Sequence, residues 1–246
     1  MSPSDLTPAH PAQPRSDQAA VLLLADVAAA HRGWGWWRIA RGARPWRRHT
    51  GLRFAKALGS GLDGGFGLQP STSRQGVFLL FDHLGQAQDF LAHAPELQHY
   101  RSRSQEFFAT VLQAWSSRGA WSGQALQVAA PQPEHSAYTG PIAALTRASI
   151  RPHKAAAFWR HAPAAQADLS QAQGCQLAVG LGEAPLLRQA TFSLWASVED
   201  MNAYARCGAH LAAIQAAQRH DFFSESMFVR FIPTQTQGRW LGRDYG

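Results

Sequence analysis

Apolar and polar positions divide residues 140–246 into a clear run of elements. Ile142 to Ile150 alternates with the two-residue period of a strand, and Lys154 to Ala165 carries helix formers. Gln176 to Gly180 and Gln189 to Trp195 are apolar strand candidates, joined by the turn Gly182-Glu183-Ala184-Pro185. Val198 to His220 places Met201, Tyr204, Leu211 and Ile214 on one side of a helix, and Met227 to Ile232 ends the series as a strand. The order is β-α-β-β-α-β. The first half follows it more loosely, from a buried strand at Val21-Leu22-Leu23-Leu24 onward, with Pro95 splitting its second helix.

The two halves also match residue by residue. Phe78-Leu79-Leu80-Phe81 resembles Phe192-Ser193-Leu194-Trp195 at an offset of 114, where Phe90 also meets Tyr204 and Leu97 meets Leu211. Phe107-Phe108 match Phe222-Phe223 at 115, and Gly119-Ala120-Trp121 match Gly238-Arg239-Trp240 at 119. Ordered matches with slow drift are the mark of a diverged duplication whose unit is a whole domain. The expected fold is therefore α+β, with two ferredoxin-like repeats in one chain, packed through their bare sheet faces as a dimeric-α/β-barrel-like pair. The expected organisation is a disordered tail over 1–18, a first repeat over 19–125 with a basic Trp-rich insertion, a linker over 126–139 and a second repeat over 140–246. Pro3, Pro8, Pro11 and Pro14 among Ser, Gln and Ala account for the tail.

Composition narrows the class. The chain of 246 residues is 46% apolar, with thirteen Phe and nine Trp, which excludes disorder for its bulk. No apolar run approaches the roughly 20 residues that span a bilayer, and Asp26 interrupts the Val21–Leu24 run before it could serve as a secretory segment. Cys175 and Cys207 are the only cysteines, which excludes a disulfide framework or an all-cysteine zinc site and suits a reducing cytoplasm.

Charge is localised. Residues 32–56 hold eight basic side chains and no acidic one, so the net charge of +7 leaves −1 for the rest. Arg32, Arg38, Arg41, Arg44, Arg47, Arg48, Arg53 and Lys56 interleave with Trp34, Trp36, Trp37 and Trp46. A solvated surface with core-facing tryptophans, a peripheral membrane contact and a nucleic-acid contact all fit such a pattern. The scarcity of lysine, with only Lys56 and Lys154 in the chain, argues against nucleic acid.

Gly59-Ser60-Gly61-Leu62-Asp63-Gly64 spells a dinucleotide-binding motif without its context, because Phe66-Gly67-Leu68-Gln69-Pro70 cannot open the helix it needs. No zinc-ligand spacing and no nucleophile elbow occurs. His210 is the histidine with chemical promise. Its helical face carries Ala203, Cys207, Ala213, Ile214 and Ala217, a low surface from which an imidazole could coordinate a flat macrocycle or rest as a satisfied core group. Cys207, one turn earlier, is the rival ligand or a buried thiol. Arg147, in an apolar strand, requires an anion, either a cofactor carboxylate or a residue such as Glu183. Phe158, Trp159, Phe192 and Trp195 are core aromatics or the walls of a pocket for a long apolar ligand.

Gly140-Pro141-Ile142-Ala143-Ala144-Leu145-Thr146-Arg147-Ala148, Phe158-Trp159, Gly180 to Pro185 and Gln189 to Trp195 together resemble the spheroidene monooxygenase family. Gly208-Ala209-His210, Ala213-Ile214, Arg230-Phe231 and Gly238-Arg239-Trp240 continue the likeness, which thins before residue 140 to Phe54, Lys56, Gly59-Ser60-Gly61, Gly65-Phe66 and Pro70. The resemblance implies a haem-containing oxygenase that inserts oxygen at C-2 of an acyclic carotenoid such as spheroidene, using dioxygen and reduced ferredoxin. On that likeness His210 would be the iron ligand, Arg147 would pair with a haem propionate, and Trp159, Phe192 and Trp195 would line the substrate pocket. The protein would be cytoplasmic, at the periphery of a membrane, and would bind no nucleic acid. A cofactor-free monooxygenase and a non-enzymatic haem or carotenoid carrier are the competing classes.

Overall fold

All nine residues of β1 (Ala19–Val27) are buried, so this strand is covered on both faces. A computed structural model describes residues 17–62, 69–128, 138–160, 169, 171–184, 186–206 and 208–246, with the side chains of residues 209, 210, 213, 214 and 218 outside that description. β1 lies antiparallel between β3 (Pro70–Phe81) and β4 (Ser104–Gly119), pairing Leu22 with Phe78 and with Thr110. β2 (Leu52–Gly61) adds beside β3, giving the first half the order β4-β1-β3-β2. In the second half β5 (Ile142–Ile150) lies between β7 (Arg188–Trp195) and β8 (Phe223–Trp240), with β6 (Cys175–Ala184) outside β7. Numbered within each half, both orders are 4-1-3-2.

The two sheets close into one eight-stranded antiparallel barrel through two unequal seams. β4 and β8 pair over a long stretch, from Phe108 opposite Gly238 to Gly119 opposite Met227. β2 and β6 meet only at Gly59–Gly182 and Ser60–Leu181, where Ser60 Oγ donates to the Gly180 carbonyl at 2.7 Å. The dinucleotide-like letters thus fall partly in a strand at the short seam, with residues 63–68 outside the described set. At the long seam Gly119 (φ +84°) and Gly238 (φ +95°) are both left-handed, and a Cβ on either would sit 2.1 Å from a backbone oxygen, of Ser226 and Phe107 respectively. These are two of the positions matched by the internal repeat. β9 (Arg243–Asp244) extends β8.

The barrel interior is filled by Leu22, Leu24, Phe78, Phe108, Leu145, Phe192, Val229, Phe231 and their neighbours, all fully buried. Outside the first sheet, α2 (Leu84–His93) and α3 (Pro95–Arg103) press Phe90, Leu91 and Leu97 onto Val21, Leu23, Leu79 and Phe81. Pro95 occupies the first turn of α3, where its missing N–H costs nothing, and so divides the helix as expected.

Several expectations change. The basic segment 32–56 forms α1 (Arg32–Arg41), the loop after it and the start of β2, which carries Arg53 and Lys56. The expected helix Val198–His220 is two helices, α4 (Val198–Ala205) and α5 (Gly208–His220), with Gly208 at φ +62° between them. The strand Met227–Ile232 lengthens to 18 residues because β8 pairs with β5 and β4 in turn. Helix occupies residues 155–160 of the expected Lys154–Ala165, and 161–165 lie outside the described residues. So do residues 1–16 of the expected tail and 129–137 of the expected linker, whereas Gln18 is buried and accepts from Gln127 N at 2.8 Å. Among the described residues no helix is long and apolar enough to cross a membrane.

Candidate functional site

Odd-numbered positions of β5 face the barrel interior, and at its end this row brings in Arg147, which is 2% exposed. Its anionic partners are protein carboxylates. One guanidinium nitrogen donates to Glu225 Oε2, and another lies 3.4 Å from Glu183 Oε1. Glu183 also accepts from Trp121 Nε1 at 2.6 Å and Lys56 Nζ at 2.5 Å, while Glu225 accepts from the backbone N–H groups of Ser122 and Gly123. Burial pushes the Glu183 carboxyl up, but the hydrogen bonds from Lys56 and Trp121 and the charges of Lys56 and Arg147 outweigh it, leaving it below its ordinary value. Glu225 is lowered too: burial is opposed by the Gly123 and Ser122 N–H groups and by Arg147. Of this cluster the sequence flagged Arg147 and offered Glu183. It carried no signal for Glu225 or Trp121 as partners.

Even-numbered positions of β5 face outward, and here the second sheet differs from the first. The strand register sets Ala178, Ser193 and Ala144 in one row ending at Arg230, and Gly180, Thr191 and Thr146 in the next, ending at Phe228. The equivalent face of the first sheet is Val, Leu and Phe under tightly packed helices. On the second, Thr146 is exposed although its strand is central. The packed part of this face joins Ile142, Ala144, Leu169, Trp195 and Met201, with Ala178, Tyr204 and Phe228 against them, so Ala144 and Ser193 are buried. A separate cavity of about 690 Å³ lies at the α4 end, bordered by Gln171, Gln173, Glu199, Asp200, Tyr204 and Gly208, a polar and acidic lining that includes no residue of these rows. Arg230 borders the same face, with its Nε buried and no hydrogen-bond partner. Thr146 and Thr191 are the accessible positions of these rows among those on β5 and β7, and a flat group with anionic edges, the shape and charge of a haem, would have to lie over them.

The structure does not gather the expected site residues into one place. His210 is on α5, on the outer side of the second sheet, and its side chain is outside the described set, as is all of Cys207. Arg147 is on the inner side of that sheet, so β-sheet separates it from α5, and the expected propionate contact is replaced by Glu225 and Glu183. Phe192 fills the barrel interior. Trp195 is on the outer face, donating to Ser193 Oγ at 3.0 Å and packed 5.2 Å from Tyr204. Trp159 lies at the rim, half-buried beside Phe158, donating to the Leu186 carbonyl at 2.9 Å. These three aromatics line no common pocket. Cys175 is half-buried, and burial pushes its thiol up to about 11, so it is an inert neutral group at neutral pH.

The basic segment divides likewise. Trp46 is buried, and the buried Arg38 guanidinium lies 4.8 Å from its ring and 5.5 Å from that of Tyr100. Arg53 pairs with Asp82 and Lys56 with Glu183. Trp36 and Trp37 are each 51% exposed, and Arg32, Arg41, Arg44, Arg47 and Arg48 surround them at the surface.

No known protein-family profile matches the chain. Among solved structures it resembles an aldoxime dehydratase, with a TM-score of 0.57 at 9% identity, covering 90% of this chain and 82% of that one, a likeness of fold alone. In sequence it is 37% identical over 206 residues to spheroidene monooxygenase of Rhodobacter capsulatus, covering 82% of this chain and 83% of that protein. It is 53% identical over 226 residues to spheroidene monooxygenase of Rubrivivax gelatinosus, covering 92% and 86%. With that identity spread over both halves of the barrel, the chain belongs to the spheroidene monooxygenase family.

Proposed function

We propose that this chain is a haem-dependent carotenoid monooxygenase that inserts oxygen at C-2 of an acyclic carotenoid such as spheroidene, giving the 2-oxo product. Dioxygen and reduced ferredoxin are its co-substrates. The observation that carries the reading is the 53% identity to a spheroidene monooxygenase across nearly the whole chain. The haem belongs to the same reading, with Thr146 exposed on the outer side of a central strand where a ring would approach. We read the two halves, each ordered 4-1-3-2, as ferredoxin-like repeats, the second of which would carry the cofactor.

His210 would hold the iron from the α5 side, with Thr146 the exposed position on a central strand of the sheet. When bound, haem supplies reductive activation of dioxygen. Trp195, Met201 and Tyr204 keep one end of the site dry. One round consumes dioxygen, two electrons and two protons, replaces C–H by C–OH and returns water. A second round at the same carbon gives a gem-diol, which loses water to the ketone, and neither round needs a protein base at that carbon. The substrate is insoluble in water, and we assign its collection to the exposed Arg- and Trp-bearing face of α1 and the following loop, at the periphery of a membrane.

Expression with haem supplied should yield a protein with a Soret band, and a spheroidene-accumulating host should then form the 2-oxo carotenoid. His210→Ala should lose the band and the product together. A colourless protein that still forms product sinks the haem but keeps the oxygenase. A band that survives His210→Ala moves the iron ligand elsewhere, and a coloured protein without turnover is a carrier.

A further inference from the structure

The two seams of the barrel are unlike. β4 and β8 are paired from Phe108 to Gly119, whereas β2 and β6 are paired at Gly59–Gly182 and Ser60–Leu181. Residues 52–58 and 175–180 are not paired across the short seam, so β2 and β6 behave as edge strands over most of their length. The side-chain ties that cross it are light. Ser60 Oγ donates to the Gly180 carbonyl at 2.7 Å, and Lys56 Nζ meets Glu183 at 2.5 Å. Leu181 rests its methyl groups over Gly76 of β3, where a Cβ would come within 2.9 Å of Leu181 Cδ2.

Behind the seam the interior is aliphatic, with Leu58, Val179 and Leu181 each at most 1% exposed. Parting β2 from β6 uncovers these side chains. That is unfavourable in water in proportion to the apolar area, and far less so against lipid, where the uncovered groups meet other apolar chains. The ladder gives up two residue pairs, and at headgroup level water remains to solvate them. The exposed Trp36 and Trp37 belong to α1, which lies against the outer side of β2 and β3. The face assigned above to lipid is therefore beside the seam that lipid would help to open.

We propose that the β2–β6 seam is a lateral gate, hinged on β4–β8, that parts at a lipid surface and takes up a stretch of a long apolar chain between its two strands. This deepens the reading above and rests on its membrane contact. β6 is the edge of the second sheet, so a chain held there reaches the outer side of that sheet, where α5 lies, without crossing a ladder.

A reversible staple tests the gate. Gly59→Cys with Gly182→Cys puts two thiols on a register pair, whose Cα separation of about 4.5–5.5 Å suits a disulfide. A Cβ at Gly59 meets nothing within 4 Å, and one at Gly182 lies 3.2 Å from the Arg188 carbonyl, which has to give slightly. Spheroidene in phosphatidylglycerol vesicles is the probe, and the carotenoid kept by the protein after the vesicles are removed is read by absorbance. The oxidised variant should float with vesicles as the wild type does yet keep several-fold less carotenoid, and dithiothreitol should restore the loss. Hydrogen exchange should quicken at residues 57–61 and 181–183 when vesicles are added, and stay slow along β4 and β8. Gly76→Val, which pushes Leu181 off its seat, should quicken exchange at the same residues without vesicles, and it keeps the test open if the staple does not form. Equal uptake by the oxidised and reduced variant, or unchanged exchange at the seam of floating protein, overturns the gate and leaves the oxygenase reading standing. No flotation, or no carotenoid kept, by the wild type overturns the gate together with the membrane contact it rests on.

Discussion

Glu183 accepts from Trp121, Lys56 and Arg147 at once, and removing its charge leaves two cations facing each other in a confined space. Glu183→Gln keeps the shape and is expected to cost about 3 kcal/mol in urea unfolding at neutral pH, the lower end for breaking a buried pair. The pH dependence follows from the direction of the shifts. Glu183 and Glu225 are lowered in the folded protein, so the unfolded chain binds more protons below its carboxylate pKa of about 4.3. Their stabilisation is complete above that value and is lost as pH falls through the folded values. Glu183→Gln should therefore flatten the acid limb of a stability-versus-pH curve. The need of Arg147 for an anion was legible from one cationic letter in an apolar strand. Glu225 was not, because it is 78 residues away and arrives through the β5–β8 register.

Strand and helix positions were read well where the period was regular. Ile142–Ile150 is β5 to the residue, and Gln189–Trp195 is β7 less one. The failures were of extent, since a strand that pairs with two neighbours in succession outruns its apolar stretch, as β8 does. The small-residue rows of the second sheet were invisible for another reason. They consist of bulk that is absent from three strands at matched rows, and a single strand of Ala and Thr looks merely permissive. Thr146→Phe tests the place proposed for the haem. The position is exposed, so the ring should be accommodated with the melting temperature within a few degrees of the wild type. Haem uptake, measured by Soret titration, should fall at least about ten-fold, the cost of blocking a shaped site. Undiminished uptake would place the ring elsewhere.

At the scale of the molecule the first half carries the basic, Trp-bearing helix, and the second carries an exposed Thr146 on a central strand. The excess charge was readable from composition; which tryptophans face outward was not, since Trp36 and Trp46 differ only in where α1 and its loop turn them. Flotation separates a lipid contact from an electron-donor contact. The wild type should rise with anionic phosphatidylglycerol vesicles and much less with neutral phosphatidylcholine. A Trp36→Ala, Trp37→Ala double variant should float several-fold less. No flotation assigns the basic face to an acidic protein such as ferredoxin. The barrel itself is zipped along β4 and β8 but joined by two residue pairs between β2 and β6, and the Lys56–Glu183 pair spans that weak side. Such a cylinder has a built-in order of failure. Protons that discharge Glu183 undo the latch first, and what parts is the short join between β2 and β6, with each sheet still whole behind it.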